Sequence, residues 1–163
     1  MTDSLLSIYL NDHLAGAVVG VELARRARAS NEGSELGAAL EELCAEIEAD
    51  RQTLRDVMDR LGIAPSRLKP PAAWAAEKLG RLKPNGQLRG YSPLSRVVEL
   101  EGLCAGVAGK RQLWSALRRI FGTELPGFDF AALLARADAQ HERLEAHRLD
   151  AVATAFGERV ECV

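Results

Sequence analysis

Between positions 36 and 61 the chain carries a run of apolar residues that fixes most of what it can become. Leu36, Leu40, Leu43, Ile47, Leu54, Val57 and Leu61 recur at alternating steps of four and three, and Asp50 fills the one polar place in the series. Steps of three and four put side chains on one face of a helix and are incompatible with the two-residue period of a strand. A helix of this length extends about 40 Å at 1.5 Å per residue. It buries its seam only against helices of similar length, so the rest of the chain is expected to supply them.

Three further segments do so. Leu6, Leu10, Leu14, Ala17, Val21 and Ala24 predict a first helix over about residues 3–29, ended by Ser30-Asn31-Glu32-Gly33. Ser34 then caps the second helix, and Gly62 with Pro65 stops it. Ser92-Pro93 opens a third helix that runs to Phe121 and stops at Gly122. Asp129 caps a fourth that ends near Gly157. No alternating pattern predicts a strand. The expected fold is therefore all-α, a four-helix bundle formed by a single domain of 163 residues.

Connection lengths set the topology. The first–second and third–fourth links are short, as in helical hairpins. Residues 62–92 form a much longer link, stiffened by Pro70-Pro71 and punctuated by Asn85-Gly86 and Gly90. A link of that size carries the chain along the whole bundle, so the expected order is hairpin, long crossover, hairpin.

Composition narrows the class. Hydrophobic residues make up 47% and charged residues 27%, the mix of a soluble globular protein. No stretch of about 18 uncharged apolar residues predicts a membrane span, and no basic leader is seen. Cys44, Cys104 and Cys162 are odd in number and widely spaced, which argues against a disulfide framework or a zinc knuckle. The expected location is cytoplasmic. The net charge of −2 conceals an asymmetry: residues 62–93 carry +5 and the remainder −7. Arg67, Lys69, Lys78, Arg81, Lys83 and Arg89, with Trp74 among them, form a candidate docking surface for an anionic membrane, a nucleic acid or an acidic partner. A homodimer through this connection is expected, because a basic crossover complements an acidic bundle.

Polar residues on apolar stripes mark the candidate interior site. Helical wheels place Glu101 at the centre of the third helix's stripe, defined by Leu94, Val97, Val98, Cys104, Ala105 and Ala108. His141 and Arg148 fall in the fourth helix's stripe, with Glu145 at its edge. Asp50 lies on the seam with Glu46 one turn earlier, and His13 and Glu22 flank the first stripe. Charges in a core are costly unless paired or bound to metal. Antiparallel pairing about residue 125 sets Glu101 opposite Arg148, and pairing about residue 32 sets Asp50 beside His13. The small residues Ala17, Ala105 and Ala108 leave room for a mid-bundle cavity, or else for close helix approach. Trp74 and Trp114 are read as docking anchors and His147 as a surface histidine. No Gly-rich phosphate loop and no nucleophile–base constellation is present.

Glu22, Glu46, Glu101 and Glu145 occupy the four glutamate positions of a known pattern, and the chain resembles the ferritin-like di-iron carboxylate proteins over about residues 4–156. In that family the second and fourth helices carry Glu-x-x-His. Here Ala49 and Arg148 stand where the histidines belong. Arginine is always cationic and does not ligate metals. The resemblance therefore implies a bundle whose carboxylate–arginine network, with His13, Asp50 and His141 nearby, replaces the metals. On that reading the protein is a non-catalytic binding or structural module with no cofactor. The alternatives are an oxidoreductase or storage protein holding iron or manganese on the four glutamates, or a metal displaced to Asp50, His141 and His13. Association with an anionic surface through the crossover is a third.

Overall fold

The computed structural model describes residues 2–66 and 91–157. Among them the chain forms four helices and no strand: α1 (Thr2–Ser30), α2 (Glu35–Arg60), α3 (Pro93–Phe121) and α4 (Phe130–Phe156). The protein is an all-α four-helix bundle.

Local chemistry sets the helix ends where the sequence placed them. The side chains of Ser34, Ser92 and Asp129 accept hydrogen bonds from the amides of Gly37 (3.1 Å), Ser95 (3.0 Å) and Ala132 (2.9 Å). Each satisfies one of the amides that a helix start leaves without a partner. At the far ends Gly62 and Gly122 adopt positive φ values of 68° and 53°, conformations that side-chain-bearing residues resist.

α1 packs antiparallel to α2, and α3 antiparallel to α4, as two hairpins. The hairpins meet chiefly along α1 and α3, while α2 and α4 approach less closely. The ends of the long connection are fixed by α1. The Ser66 amide donates to Asn11 Oδ1 at 2.6 Å, near the start of α1. Tyr91 Oη accepts from Asn31 Nδ2 at 3.1 Å, just past its end. The chain thus leaves one end of the bundle at Ser66 and re-enters at the other at Tyr91. The basic residues Arg67, Lys69, Lys78, Arg81, Lys83 and Arg89, together with Trp74, lie outside the described residues, as does the expected dimer contact.

The seam of α2 faces the core as its spacing requires: Leu40, Leu43, Ile47, Asp50, Leu54 and Val57 are all buried. α3 corrects its predicted face. Its buried arc is Val97, Leu100, Leu103, Cys104, Val107, Trp114 and Leu117, whereas Ala105 and Glu101 are exposed. α3 is apolar around much of its circumference. The larger side chains gain more by burial, so they take the core and the alanines turn away. Trp114, read as a docking anchor, is fully buried. α1 is also apolar on several faces. By length and composition Ser4–Ser30 would serve to cross a membrane, against the expectation that no segment would, and 17% of its apolar window is buried in the bundle. Cys44 is half-buried and Cys104 buried, both as free thiols; Cys162 lies outside the described residues.

A polar clamp joins the hairpins where the long connection returns. Glu99, almost completely buried, accepts from Tyr91 Oη (2.8 Å) and lies 3.0 Å from Arg26 Nε of α1. Buried Asn31 donates to Tyr91 and to the Ala27 carbonyl, and accepts from Arg96 Nε at 2.9 Å. Burial pushes the Glu99 carboxyl above its ordinary range, against the opposing pull of Tyr91 and Arg26. Burial likewise pushes the Tyr91 phenol up to about 12.

Two outcomes follow. A Cβ on Gly37 would stand 2.2 Å from the Asn31 carbonyl oxygen. Gly37→Ala should therefore destabilise the protein by about 1–3 kcal/mol, despite alanine's better helix propensity, in urea denaturation. A carboxyl whose pKa is raised by folding binds its proton more tightly in the folded state, so it costs stability as pH rises through its titration range. Glu99→Gln should accordingly gain stability relative to wild type from about pH 4 to pH 7. A constant difference across that range would mean that burial does not perturb Glu99.

Candidate functional site

The centre of the bundle holds an ion-pair network and, beside it, an open cleft. Asp50 of α2 is the network's hub, with a side chain 2% exposed. Its Oδ2 accepts from Lys110 Nζ of α3 at 2.6 Å and from Gln140 Nε2 of α4 at 3.2 Å. Its Oδ1 accepts from Arg136 of α4. Gln140, with no solvent exposure, also accepts from Lys110 through Oε1 and donates to Glu46 Oε2 at 2.9 Å. Glu46 in turn accepts from Arg143 at 2.5 Å. Arg136, Gln140 and Arg143 reach α2 together because steps of four and three keep them on one face of α4. The long side chains fill the wider gap between α2 and α4. Burial pulls the Lys110 ammonium below its ordinary pKa, and the Asp50 carboxylate partly restores it.

The interior network that Asp50 announced is therefore present, but built on different cations. Local pattern does not mark Lys110, Arg136 and Gln140 as interior, because long polar side chains ordinarily lay their stems on a surface and expose their heads. Two signals pointed to them. A carboxylate in a heptad seam requires a cation, and pairing α3 with α4 about residue 125 sets 110 opposite 140.

Arg148 does meet Glu101, at 4.0 Å, and bonds more closely to Glu145 through Nε (2.7 Å) and Nη2 (2.6 Å). The hydrogen bond from Arg148 holds the Glu145 carboxyl below its usual range. This is a half-exposed group on the bundle's flank, not an interior one, because the Glu101 side chain is 55% exposed. The four glutamates do not converge. Glu22 is exposed and pairs with Arg25 at 3.1 Å, and Glu46 belongs to the Asp50 network. His13 stands on the α1 side of Asp50 with its ring edge-on to Tyr9 at 4.6 Å. His141 is half-buried near Glu145, and His147 is half-buried against Leu40, Leu43 and Leu144. Among the described residues no three His, Cys, Asp or Glu side chains are gathered as metal ligands.

The cleft lies between α1 and α3. It encloses about 300 Å³ and is walled by Tyr9, His13, Gly16 and Ala17 on α1 and by Ala105, Gly106, Gly109, Leu113 and Trp114 on α3. Ile47, Asp50, Leu54 and Lys110 close its inner side, with Asp12 and Arg51 also lining it. The glycines show why it is open. At Gly102 the helices touch, since a Cβ there would come 2.8 Å from Leu23 Cδ2. At Gly16, Gly106 and Gly109 a Cβ would meet nothing within 4 Å. A glycine inside a helix costs about 1 kcal/mol relative to alanine. Close packing explains Gly102 but none of those three. Trp114 adds a second feature: its Nε1–H is buried and has no hydrogen-bond partner among the described residues. Of Ala17, Ala105 and Ala108, which admitted either a mid-bundle cavity or close helix approach, Ala17 and Ala105 line the cleft and Ala108 does not.

In comparison with known proteins, no family model, no curated protein and no solved structure matches the chain.

The network yields a stability test. Asp50→Leu leaves Lys110, whose side chain is only 14% exposed, with the neutral Gln140 in place of a carboxylate and unpairs Arg136 from Asp50 as well, and should cost roughly 3–5 kcal/mol. Lys110→Met should cost less, because Arg136 and Gln140 still partner Asp50. The double variant should be more stable than the sum of the two single losses predicts, a coupling read from denaturant melts of all four proteins. Additive losses would show that the pair is not coupled.

Proposed function

We propose that this protein is a non-catalytic binding module, a ferritin-like bundle in which an Asp50–Lys110–Arg136 network takes the place of a metal centre and the α1–α3 cleft receives a small ligand. The observation that carries the reading is the set of glycines at 16, 106 and 109, each facing open space at a cost to helix stability. A bundle selected only for rigidity gains by replacing them with alanine. A cleft that must admit a ligand does not.

The interior groups support binding over catalysis. Asp50, the buried carboxylate next to the cleft, already accepts from Lys110, Arg136 and Gln140, which occupy three of its roughly four acceptor positions. The reading that assigns iron or manganese to Glu22, Glu46, Glu101 and Glu145 draws no support from the side-chain directions, since Glu22 and Glu101 point to solvent and each of the four pairs with a cation or an amide.

The test is a titration of isotope-labelled protein with one- and two-ring aromatic and aliphatic probes, followed by amide NMR. Shifts should concentrate at Gly16, Gly106, Gly109 and the Trp114 indole. Gly106→Leu, which fills the cleft, should abolish them. In the ligand-free protein Gly106→Ala and Gly109→Ala should each raise stability by about 0.5–1 kcal/mol. If no probe shifts these signals, or if Gly106→Leu leaves the shifts unchanged, the cleft is not a binding site.

A further inference from the structure

The residues that line the cleft also bear on what it takes. Building on the binding role proposed above, we infer that the ligand is an uncharged, largely apolar small molecule. The volume bounds its size. An apolar cavity of about 150 Å³ holds benzene, so the cleft's volume of about 300 Å³ matches a buried body of roughly ten to twelve carbon atoms. That volume lies at the lower end of the range for small-molecule sites, roughly 300–1,000 Å³.

The lining sets the polarity. The side chains of Ala17, Ile47, Leu54, Ala105 and Leu113 present only carbon. The glycines lie inside α1 and α3, where helical hydrogen bonds occupy the backbone groups. Trp114 also lines the cleft, but its Nε1–H is inaccessible and offers a ligand nothing. The ionised residues of the lining balance, Asp12 and Asp50 against Arg51 and Lys110. They are also spoken for. Asp50 and Lys110 bond to each other at 2.6 Å, and Arg51 lies 3.8 Å from Glu48. Asp12 is exposed, so an ion drawn to it stays in water, where such pairs contribute little. His13 packs edge-on to Tyr9, and burial favours its neutral form. A ligand that carries a charge into the cleft therefore loses hydration without meeting an unpaired opposite charge. An uncharged one exchanges water for carbon, which the hydrophobic effect favours.

Three probes built on one ring system separate the charge classes: naphthalene, 2-naphthoate and 2-naphthylmethylammonium. Each is titrated into the full chain at about pH 7, where the carboxylate and the ammonium are both ionised, with amide NMR as the readout. Naphthalene should bind at least about tenfold more tightly than either ion, with shifts concentrated at Gly16, Gly106 and Gly109. Gly106→Leu should abolish those shifts, and Gly109→Leu serves if the first variant does not fold. A smaller preference over either ion, with the shifts still lost in a leucine variant, would overturn the uncharged class and leave the cleft as a binding site. Cleft signals that move with none of the three probes, or shifts that persist in both leucine variants, would overturn the binding role on which the inference rests.

Discussion

The arrangement of the helices turns on one buried carboxylate. Asp50 interrupts an otherwise apolar seam, and once the core closes around it only cations and amides brought from other helices offset its desolvation. Lys110 from α3 and Arg136 with Gln140 from α4 do so, which fixes the level of three helices relative to one another. A purely apolar seam permits axial slippage by a turn at small cost. A seam with one charge in it has a single register in which that charge is paired. The wide spacing of α2 and α4 follows as well, since long side chains must pass between them to reach the carboxylate.

A second polar group does the corresponding work at the end of the bundle where the long connection returns. Glu99, Tyr91, Asn31, Arg26 and Arg96 tie α3 to the α1–α2 hairpin. Between this clamp and the cleft the helices α1 and α3 touch closely at Gly102, against Leu23. The Asp50 hub forms part of the cleft's inner side, and the Glu99 clamp lies beyond one of its ends.

Much of the architecture was legible in the residues. Period, caps and stop glycines gave the four helices nearly to the residue, and the length of the 62–92 connection gave the topology. Facing was harder. On α2 the seam is narrow and unambiguous. On α3 apolar and small residues surround the axis, and a wheel centred on its alanines sends Glu101 inward when it lies outside. A helix of 29 residues also drifts against any fixed heptad frame, by about 20° per seven residues, so a stripe chosen at one end misplaces the other. Glu99 and Lys110 were missed for a different reason: their burial depends on partners in remote segments, Arg26 and Tyr91 in one case and Asp50 in the other. Asp50 alone announced itself, because it broke a pattern. The cleft was half visible, as small residues that admitted either close approach or open space, and only the paired backbones distinguish Gly102 from Gly106.

The division of labour between the two hairpins bears on the route by which the chain reaches this state. Within each hairpin the contacts link residues close in sequence, so each assembles early and by itself. The α1–α3 contacts close only after the long intervening segment is constrained, a chain-entropy cost deferred to the end. Asn31 and Tyr91, some sixty positions apart and bonded to each other, lie at that last junction. The rate of folding is therefore expected to respond little to changes in the clamp, whose loss should appear instead as faster unfolding.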